Sequence, residues 1–325
     1  MSGGFYLGVD GGGTKTAFLI LDENGIERGR CEGGTSYHPQ IGMDGLRRVL
    51  AEGIGAVTAQ AGVAPDQLAY AFFGLPAHGE DSRVAAVLDA VPREVLGHDR
   101  YACGNDMVCG WAGSLACADG INIVAGTGSI GYGERQGRAA RCGGWGELFG
   151  DEGSGYWIAV QGLNAFTRMS DGRLTRGPLY GMIRETFSLA EDLDLSGLLT
   201  GNAETARDSV AALSRLVVAA VDQGDDAARQ ILAAAAGELV KVVDAIARDL
   251  AFAPDETIPV SYSGGVFRSG EAVLRPFAAA LDASPLDFAL QTPSFDPTVG
   301  AALYAANRAD AALTVRMIAG LSARG

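Results

Sequence analysis

A chain of 325 residues is long enough for two domains, each with its own hydrophobic core. Its hydrophobic content of 48% excludes general disorder. The net charge of −14 argues against nucleic acid or an anionic membrane as a partner, and no apolar run reaches the ~18 residues that a membrane-spanning helix needs.

The chain begins with a predicted strand that runs into a turn almost without side chains. Phe5–Val9 is apolar, and residues 8–16 read Gly-Val-Asp-Gly-Gly-Gly-Thr-Lys-Thr. Backbone N–H groups can close on a phosphate where no Cβ blocks them, while hydroxyls and an ammonium complete the site. A tight hairpin turn explains the segment equally well, because Asp-Gly and Gly-Gly favour one. The candidate phosphate contacts are Gly11, Gly12, Gly13, Thr14, Lys15 and Thr16.

Two charged residues of this turn carry further information. Lys15 is one of two lysines in a chain with 23 arginines, which indicates that a compact point charge is needed here. Asp10 would repel a phosphate unless a metal ion stood between them. We therefore predict that Asp10 is a Mg²⁺ ligand through water, although a turn-forming Asp-Gly pair explains it too.

Alternating strand and helix signals follow the first hairpin. The predicted elements are strand 27–32, helix 44–61, strand 68–73, helix 82–90, strand 99–103 and helix 107–116. Strands separated by helices predict a largely parallel sheet. Asp106 follows the last of these strands and opens the next helix. The residues alone favour a helix cap at Asp106, whereas phosphoryl transfer would use its carboxylate to orient an alcohol and take its proton.

A second strand–turn–strand pattern occurs at residues 120–133, and a third apolar strand covers 258–263. The second turn and the glycine pair after the third strand supply Gly126, Thr127, Gly128, Ser129, Gly264 and Gly265. The repetition suggests a duplicated domain. Two facing turns could hold one polyphosphate, and the glycine pair could let a nucleoside lie against bare backbone. Ordinary turn residues are the alternative for Thr127 and Ser129.

The remainder of the second half is predicted to be mostly helical. The predicted helices are 154–169, 179–187, 205–221, 226–252, 269–280 and 297–306. Trp145 lies between Gly144 and Gly146, which offers a flat apolar face suited to the C–H face of a pyranose. Asp151 can accept hydrogen bonds from sugar hydroxyls. The alternative is a core tryptophan, with Asp151 capping the helix that begins near residue 154.

These motifs together resemble the sugar-kinase, Hsp70 and actin superfamily. The resemblance covers nearly the whole chain. Within the superfamily the chain is most similar to the N-acetylglucosamine kinase branch, which includes the BadF/BadG/BcrA/BcrD-type activator ATPases. Residues 143–154, Gly-Gly-Trp-Gly-Glu-Leu-Phe-Gly-Asp-Glu-Gly-Ser, are the most specific segment and point to the amino-sugar kinases. The other segments that carry the resemblance are 8–16, 104–106, 126–129, 263–266 and 297–303.

The resemblance implies an α/β fold with two ribonuclease-H-like domains around a nucleotide cleft, the second enlarged by helices. The expected domains are residues 1–117 and 118–325, with the last helix, about 297–319, packing on the first domain. The resemblance also implies ATP-dependent phosphorylation of the 6-hydroxyl of N-acetylglucosamine or glucosamine, with Mg²⁺ as cofactor and Asp106 as general base. The implied sugar contacts are Tyr37, His38, Asn105, Asp106, Gly144, Trp145, Gly146 and Asp151.

One segment departs from the family pattern. Vertebrate N-acetylglucosamine kinases have Ser-Thr-Asn-His in the loop after the third strand, with the asparagine and histidine on the sugar. Here residues 35–38 read Thr-Ser-Tyr-His, so Tyr37 replaces that amide. Free glucosamine or another N-acyl hexose is therefore an open alternative to N-acetylglucosamine.

Two other functions stay open. An activator ATPase would hold an iron–sulfur cluster across a dimer through two cysteines per subunit, for which Cys117 or Cys142 could serve. A non-catalytic sugar or nucleotide sensor would need a DNA-binding extension or basic face, which this acidic chain lacks. The odd number of five cysteines indicates free thiols in the cytoplasm, and a homodimer is the default assembly.

Overall fold

The computed structural model describes residues 4–199 and 206–323. The chain forms two compact units: unit 1 contains the residues up to Asp119 together with those from Thr292 onward, and unit 2 is Gly120–Gln291. The sequence predicts a boundary after residue 117 and a last helix, about 297–319, that packs on the first domain. In the structure the boundary follows Asp119, and the chain returns to unit 1 at Thr292.

The strands and helices are numbered in chain order. The strands are β1 (Phe5–Gly11), β2 (Lys15–Asp22), β3 (Glu27–Gly34), β4 (Tyr70–Gly74), β5 (Tyr101–Gly104), β6 (Gly120–Ala125), β7 (Ser129–Arg135), β8 (Arg138–Gly143), β9 (Ile258–Ser263) and β10 (Phe288–Leu290). The helices are α1 (His38–Ala61), α2 (Ser82–Leu96), α3 (Met107–Ser114), α4 (Gly155–Ser170), α5 (Pro178–Thr186), α6 (Asp194–Leu198), α7 (Arg207–Ala212), α8 (Ser214–Asp222), α9 (Asp226–Asp249), α10 (Glu271–Asp282), α11 (Pro297–Ala309) and α12 (Ala311–Ser322). Among the described residues, no helix combines the length and apolar character needed to cross a membrane.

Each unit contains one five-stranded mixed sheet, and the two sheets have the same connectivity. The strand orders are β3-β2-β1-β4-β5 in unit 1 and β8-β7-β6-β9-β10 in unit 2. The first three strands of each sheet form an antiparallel meander, and the last two join it in parallel. The predicted α/β class with a duplicated domain is confirmed. The prediction of a largely parallel sheet is wrong, because hairpin-connected strands must run antiparallel and only the strands reached through helices run parallel.

Several helices differ from their predicted bounds. α1 begins six residues before the predicted residue 44, and its axis breaks at Gly42, which has φ 69° and ψ 172°. The predicted helix 205–221 is two helices, α7 and α8, and its first residue, Thr205, lies outside the described residues. The predicted last helix, 297–319, is also two helices. Asp310 interrupts it in extended conformation and caps α12 by accepting a hydrogen bond from Ala312 N.

Unit 1 packs helices on both faces of its sheet. α1 lies against β2 and β3, and its buried Leu46, Leu50 and Ile54 share a core with Phe18 of β2. α11 lies against β1 and α3. That approach is close, because a Cβ added to Gly8 of β1 would come within 2.7 Å of the backbone of α11. Glycine at this position therefore has a packing role.

The core of unit 2 lies between its sheet and the long helix α9. Ile121 and Ile123 of β6 and Val260 of β9 share this core with Val243 and Ile246 of α9. The helix also crosses β7 closely, since a Cβ on Gly131 would lie 2.6 Å from the side chains of Val242 and Ile246. α9 can approach β7 this closely only because residue 131 has no side chain.

The contact between α11 and α3 gives a test of this packing. A Cβ on Gly300 of α11 would lie 2.6 Å from Cα of Gly113, so Gly300→Ala should destabilise the chain by roughly 1–3 kcal/mol. The matched substitution Gly55→Ala places its methyl group in open space on α1 and should stabilise the chain by about 1 kcal/mol, because alanine is the better helix former. Urea denaturation followed by circular dichroism measures both effects. Equal effects would contradict the close packing of α11 on α3.

Candidate active site

The carboxyl ends of three neighbouring strands bring two aspartates to one edge of the unit 1 sheet. In the register of the sheet, Asp10 of β1 lies beside Gly74 of β4, which lies beside Gly104 of β5. Asp106 follows two residues after Gly104. Gly74 between them has no room for a side chain, since an added Cβ would lie 3.3 Å from Cα of Asp106 and would overlap the Cys109 thiol. The missing side chain lets the two aspartates share this edge.

This acidic pair, Asp10 and Asp106, has perturbed proton affinity. Burial raises the pKa of Asp10 from 3.8 to about 7, with repulsion by Asp106 adding to it and a hydrogen bond from Cys109 opposing it. Burial also raises the pKa of Asp106, to about 6, and the Glu80 carboxylate adds to that effect. Such shifts are typical of groups that handle protons or metal ions.

Asp106 is not the side-chain cap of α3. It occupies the N-cap position, but its carboxylate makes no capping hydrogen bond. The neighbouring Asn105 supplies the local hydrogen bonds, because its Oδ1 accepts from Met107 N at 3.2 Å and its Nδ2 donates to the carbonyl of His78 at 3.2 Å. The capping interpretation of Asp106 is therefore wrong. The buried amide of Asn105, an expected sugar contact, has structural partners on both ends.

Residues 11–16, here named loop 1, divide into packed and open positions. Gly11 is packed, since a Cβ there would lie 2.6 Å from the carbonyl oxygen of Gly74. A Cβ on Gly13 would meet no atom within 4 Å, and Thr14 is exposed. Lys15 is exposed as well, and its Nζ pairs with Glu32 Oε1 at 2.5 Å. The middle of loop 1 is thus the accessible part.

Polar groups beside loop 1 lie in the interior without a partner. Thr16 Oγ1, Ser36 Oγ and His38 Nδ1 are buried atoms with no hydrogen-bond partner in the described part of the chain. Thr35 ties this region to loop 1, because its hydroxyl donates to the carbonyl of Gly12 at 2.7 Å. Tyr37 follows at the N-terminus of α1 and is 36% exposed. The structure therefore places the expected contacts Tyr37 and His38 in the segment attached to loop 1.

The second turn, residues 126–129 and here named loop 2, is fastened to the start of α4. Gly155 N donates to the carbonyl of Gly126 at 2.8 Å, and the Ser129 hydroxyl donates to the carbonyl of Glu152 at 2.8 Å. The Thr127 hydroxyl donates to Asp208 Oδ1 of α7 at 2.9 Å. Both hydroxyls of loop 2 thus have protein partners, while a Cβ on Gly126 would meet nothing within 4 Å. The backbone of loop 2 is also engaged, because Gly126 N donates to the carbonyl of Gly128 at 2.8 Å and Tyr156 N donates to the carbonyl of Thr127 at 3.3 Å.

The glycine pair after β9 lies next to the start of loop 2. β6 and β9 are parallel neighbours, with Val124 opposite Ser263, so Gly126 and Gly264 follow at the same edge. Gly264 has φ +99°, and Val266 N donates to the carbonyl of Ala125 at 2.9 Å. This backbone conformation strongly favours glycine. Gly265 is exposed beside it.

The segment from Gly144 to Asp151 contrasts an exposed indole with a buried carboxylate. Trp145 is 73% exposed, so the core interpretation of this tryptophan is wrong. Gly144 N, just before it, donates to the carbonyl of Ser129. Asp151 is 2% exposed, has φ +55° and pairs with Arg207. Its capping interpretation is also wrong, because Ser154 caps α4 by accepting from Trp157 N.

The described residues contain no cluster of three or more His, Cys, Asp or Glu side chains that could enclose a metal ion. The acidic pair alone is suited to a cation that keeps most of its ligands as water and phosphate, as Mg²⁺ does. A divalent cation would also offset the burial and the repulsion by Asp106 that raise the pKa of Asp10.

Comparison with known proteins assigns the family. A family profile described as the BadF/BadG/BcrA/BcrD ATPase family matches residues 7–305. The chain belongs to this family. As a member of this ATPase family, the protein uses ATP.

Relatives of this family member are similar over nearly its whole length. It is 30% identical to an N-acetyl-D-glucosamine kinase of Dictyostelium discoideum, over 94% of this chain and 99% of the relative. It is 27% identical to an N-acetylmuramic acid/N-acetylglucosamine kinase of Clostridium acetobutylicum, with the same shares covered. The solved structure of a candidate N-acetylglucosamine kinase from Chromobacterium violaceum superposes with a TM-score of 0.70 at 27% identity, covering 93% of this chain and 99% of that one.

In this BadF/BadG/BcrA/BcrD ATPase family member, several site residues carry no signal in the sequence. Gly74 is a single glycine at a strand end, and its role depends on the registers of β1, β4 and β5. Arg207 is 56 positions from Asp151 in the chain and meets it only in the folded unit. The Cys109 thiol donates to the carbonyl of Val9 at 3.7 Å, and its proximity to Asp10 lowers the pKa of that carboxyl. Only tertiary contacts identify these residues.

The raised pKa of Asp10 makes stability depend on pH. The folded chain binds this proton more tightly than the unfolded chain, so the stabilisation is complete below about pH 3.8 and is lost as the pH rises through about 7. Asp10→Asn should therefore stabilise the metal-free protein at pH 8, by on the order of 2 kcal/mol, and have a smaller effect at pH 5. Urea denaturation in EDTA at both pH values measures this difference.

A control substitution for this experiment is Asp44→Asn, because the Asp44 side chain is 94% exposed. This control should leave the pH dependence of the urea midpoint as in the unmodified protein. If the Asp10→Asn variant has the same pH dependence as the unmodified protein, ionisation of Asp10 does not destabilise the folded chain.

Proposed function

We propose that the protein is an ATP-dependent amino-sugar kinase, which transfers the terminal phosphate of ATP to the 6-hydroxyl of N-acetylglucosamine or glucosamine. The observation that carries this proposal is the Asp106 carboxylate. It does not cap α3, and it lies with Asp10 at the edge of the unit 1 sheet where the parallel strands have their carboxyl ends. The names of the relatives at 27–30% identity support the amino-sugar substrate class.

In the proposed reaction, Asp106 acts as the general base. Its carboxylate orients the sugar alcohol and accepts the O6 proton as the new oxygen–phosphorus bond forms, and the bond from that phosphorus to the bridging oxygen of ATP breaks to release ADP. A pKa of about 6, raised by burial, leaves Asp106 largely ionised at neutral pH and still a stronger base than an ordinary aspartate.

The remaining charged groups of unit 1 fit the nucleotide. In the proposal Lys15 exchanges Glu32 for a phosphate oxygen, and the backbone N–H groups of Gly12 and of the open Gly13 donate to the phosphates. Asp10 holds Mg²⁺ through water, and the bound ion would neutralise charge on the phosphates. Because the chain carries a net charge of −14, such local groups must supply the attraction for ATP.

In unit 2 the proposal assigns backbone to the nucleotide and side chains to the sugar. The glycines assigned to the nucleotide are Gly126, Gly128 and the pair Gly264–Gly265, of which Gly265 is exposed. The exposed ring of Trp145 stacks on the apolar face of the sugar, and Asp151 accepts hydrogen bonds from its hydroxyls. We place this activity in the cytoplasm, where ATP is available and where all five cysteines would stay free thiols, as they are in the structure.

The proposed function is tested by measuring ADP release with a panel of N-acetylglucosamine, glucosamine, glucose and N-acetylmuramic acid. Asp106→Asn should lower kcat for the best sugar by roughly 10²- to 10⁴-fold with little change in sugar affinity, because the base is lost while the binding groups remain. Asp99→Asn, a change at an exposed aspartate of the same unit, should keep normal turnover. Near-normal kcat in Asp106→Asn would refute the role of Asp106.

The same panel separates the alternatives. No sugar-dependent ADP release in the unmodified protein would refute the kinase proposal. An activator ATPase would instead contain iron after anaerobic purification, and a sensor would bind sugar or nucleotide without releasing ADP.

Trp145 offers an independent test of the sugar site. Trp145→Ala should raise KM for the sugar roughly tenfold, because the stacking face is removed, and should leave KM for ATP unchanged. Phe149→Ala is the matched control, since Phe149 is a 74% exposed aromatic in the same segment with no proposed contact to the sugar. Equal effects of the two substitutions on KM would remove Trp145 from the site.

A further inference from the structure

Asp151 is a carboxylate in the interior of unit 2 with one basic partner. Its side chain is 2% exposed, and its Oδ2 pairs with the guanidinium of Arg207 at the start of α7. The acidic groups nearby are Glu147, the adjacent Glu152, and Asp208, which holds the Thr127 hydroxyl. A buried carboxylate among acids requires a fixed counter-ion, because an unpaired buried charge is strongly unfavourable.

Arg207 makes two directed contacts through its planar fork. Besides Asp151, it pairs through Nε with Glu147 Oε2 at 3.1 Å. The guanidinium thereby connects α7 to the middle and to the end of the segment from Gly144 to Asp151. Lysine could not reproduce this arrangement fully, because its ammonium is a single point charge without the fork.

Loop 2 is shaped to admit this ion pair. A Cβ on Gly128 would lie 2.6 Å from Asp151 Oδ2 and would overlap the guanidinium of Arg207. Glycine at position 128 therefore leaves space for the pair directly against the loop. The backbone at Asp151 is also unusual, with φ +55° in a residue other than glycine, which indicates that its surroundings hold it in place.

We propose that Arg207 is a positioning residue for the sugar, which acts through Asp151. The guanidinium fixes one carboxylate oxygen and so orients the other toward the sugar hydroxyls. This inference rests on the proposed kinase function and on the assignment of Asp151 to the sugar. Arg207 itself touches neither the sugar nor the reacting atoms, so its effect appears in sugar binding and is absent without the Asp151 charge.

The central experiment is steady-state kinetics of Arg207→Met with N-acetylglucosamine, or the best sugar of the panel. KM for the sugar should rise roughly 10- to 100-fold, because the carboxylate loses its fixed orientation, while KM for ATP stays within about threefold. Arg207→Lys should recover part of the loss, since it restores the charge without the fork. The control Arg173→Met removes an exposed arginine paired only with Asp171 nearby and should leave both constants unchanged.

A double-mutant cycle separates positioning from a general structural role. In an Asp151→Asn background the buried charge is gone, so adding Arg207→Met should change KM for the sugar by less than about threefold. The cycle remains measurable if Arg207→Met alone does not fold, because Arg207→Lys can take its place in both backgrounds.

The outcomes of the two proposals are distinguishable. An unmodified protein that phosphorylates no amino sugar contradicts the kinase function. An active protein in which Arg207→Met leaves sugar KM unchanged, or raises it equally with and without the Asp151 charge, contradicts the positioning role of Arg207 alone.

Discussion

The placement of two carboxylates in a poorly solvated sheet edge is the constraint on which the rest of unit 1 depends. Asp10 and Asp106 lie at the ends of strands on either side of β4, and that strand ends in Gly74. Any side chain at Gly74 would overlap Cys109 and separate the aspartates. The cost of this arrangement appears in the raised pKa values of both acids. Such an unfavourable arrangement suits a site whose ligands supply positive charge.

Unit 2 repeats the sheet but gives its corresponding edge different chemistry. β1 carries Asp10 one residue before its end, whereas β6 ends in Ala125 and is followed by glycines and hydroxyl residues. The hydroxyls are engaged within the unit, by Asp208 and by the carbonyl of Glu152. The buried carboxylate of Asp151 in this unit is paired with Arg207. The two sheets thus share one architecture, with two closely placed acids at the edge in unit 1 and polar groups paired within the unit at the edge in unit 2.

Local pattern in the sequence was enough to predict the duplicated α/β fold, the strand at Ile258–Ser263 and the position of loop 1. Those features depend on short-range rules, namely apolar runs and glycine turns. The short strands β8 and β10 were missed, because Arg138–Gly143 has little apolar content and Phe288–Leu290 has three residues. The break at Asp310 was missed because its neighbours all favour helix.

The site was predictable where a motif stands in one stretch of chain and unpredictable where it depends on folding. Asp10, Asp106 and Trp145 could be singled out from their neighbours in sequence. The Asp106 side chain does not cap α3, because Val108 N and Cys109 N donate to the backbone carbonyls of Asn105 and Asp106, which only the structure reveals. The partnership of Arg207 with Asp151 likewise depends on how α7 packs, since no local rule connects residues so far apart in the chain.

The return of the chain to unit 1 at Thr292 has a consequence for biosynthesis. β1, which α11 covers, precedes unit 2 in the chain and is synthesised before it, whereas α11 follows unit 2 and is synthesised after it. A nascent chain must therefore carry an incomplete first unit, with one sheet face uncovered, while the whole of the second unit is synthesised and can fold. The face of β1 that α11 covers stays exposed during that interval.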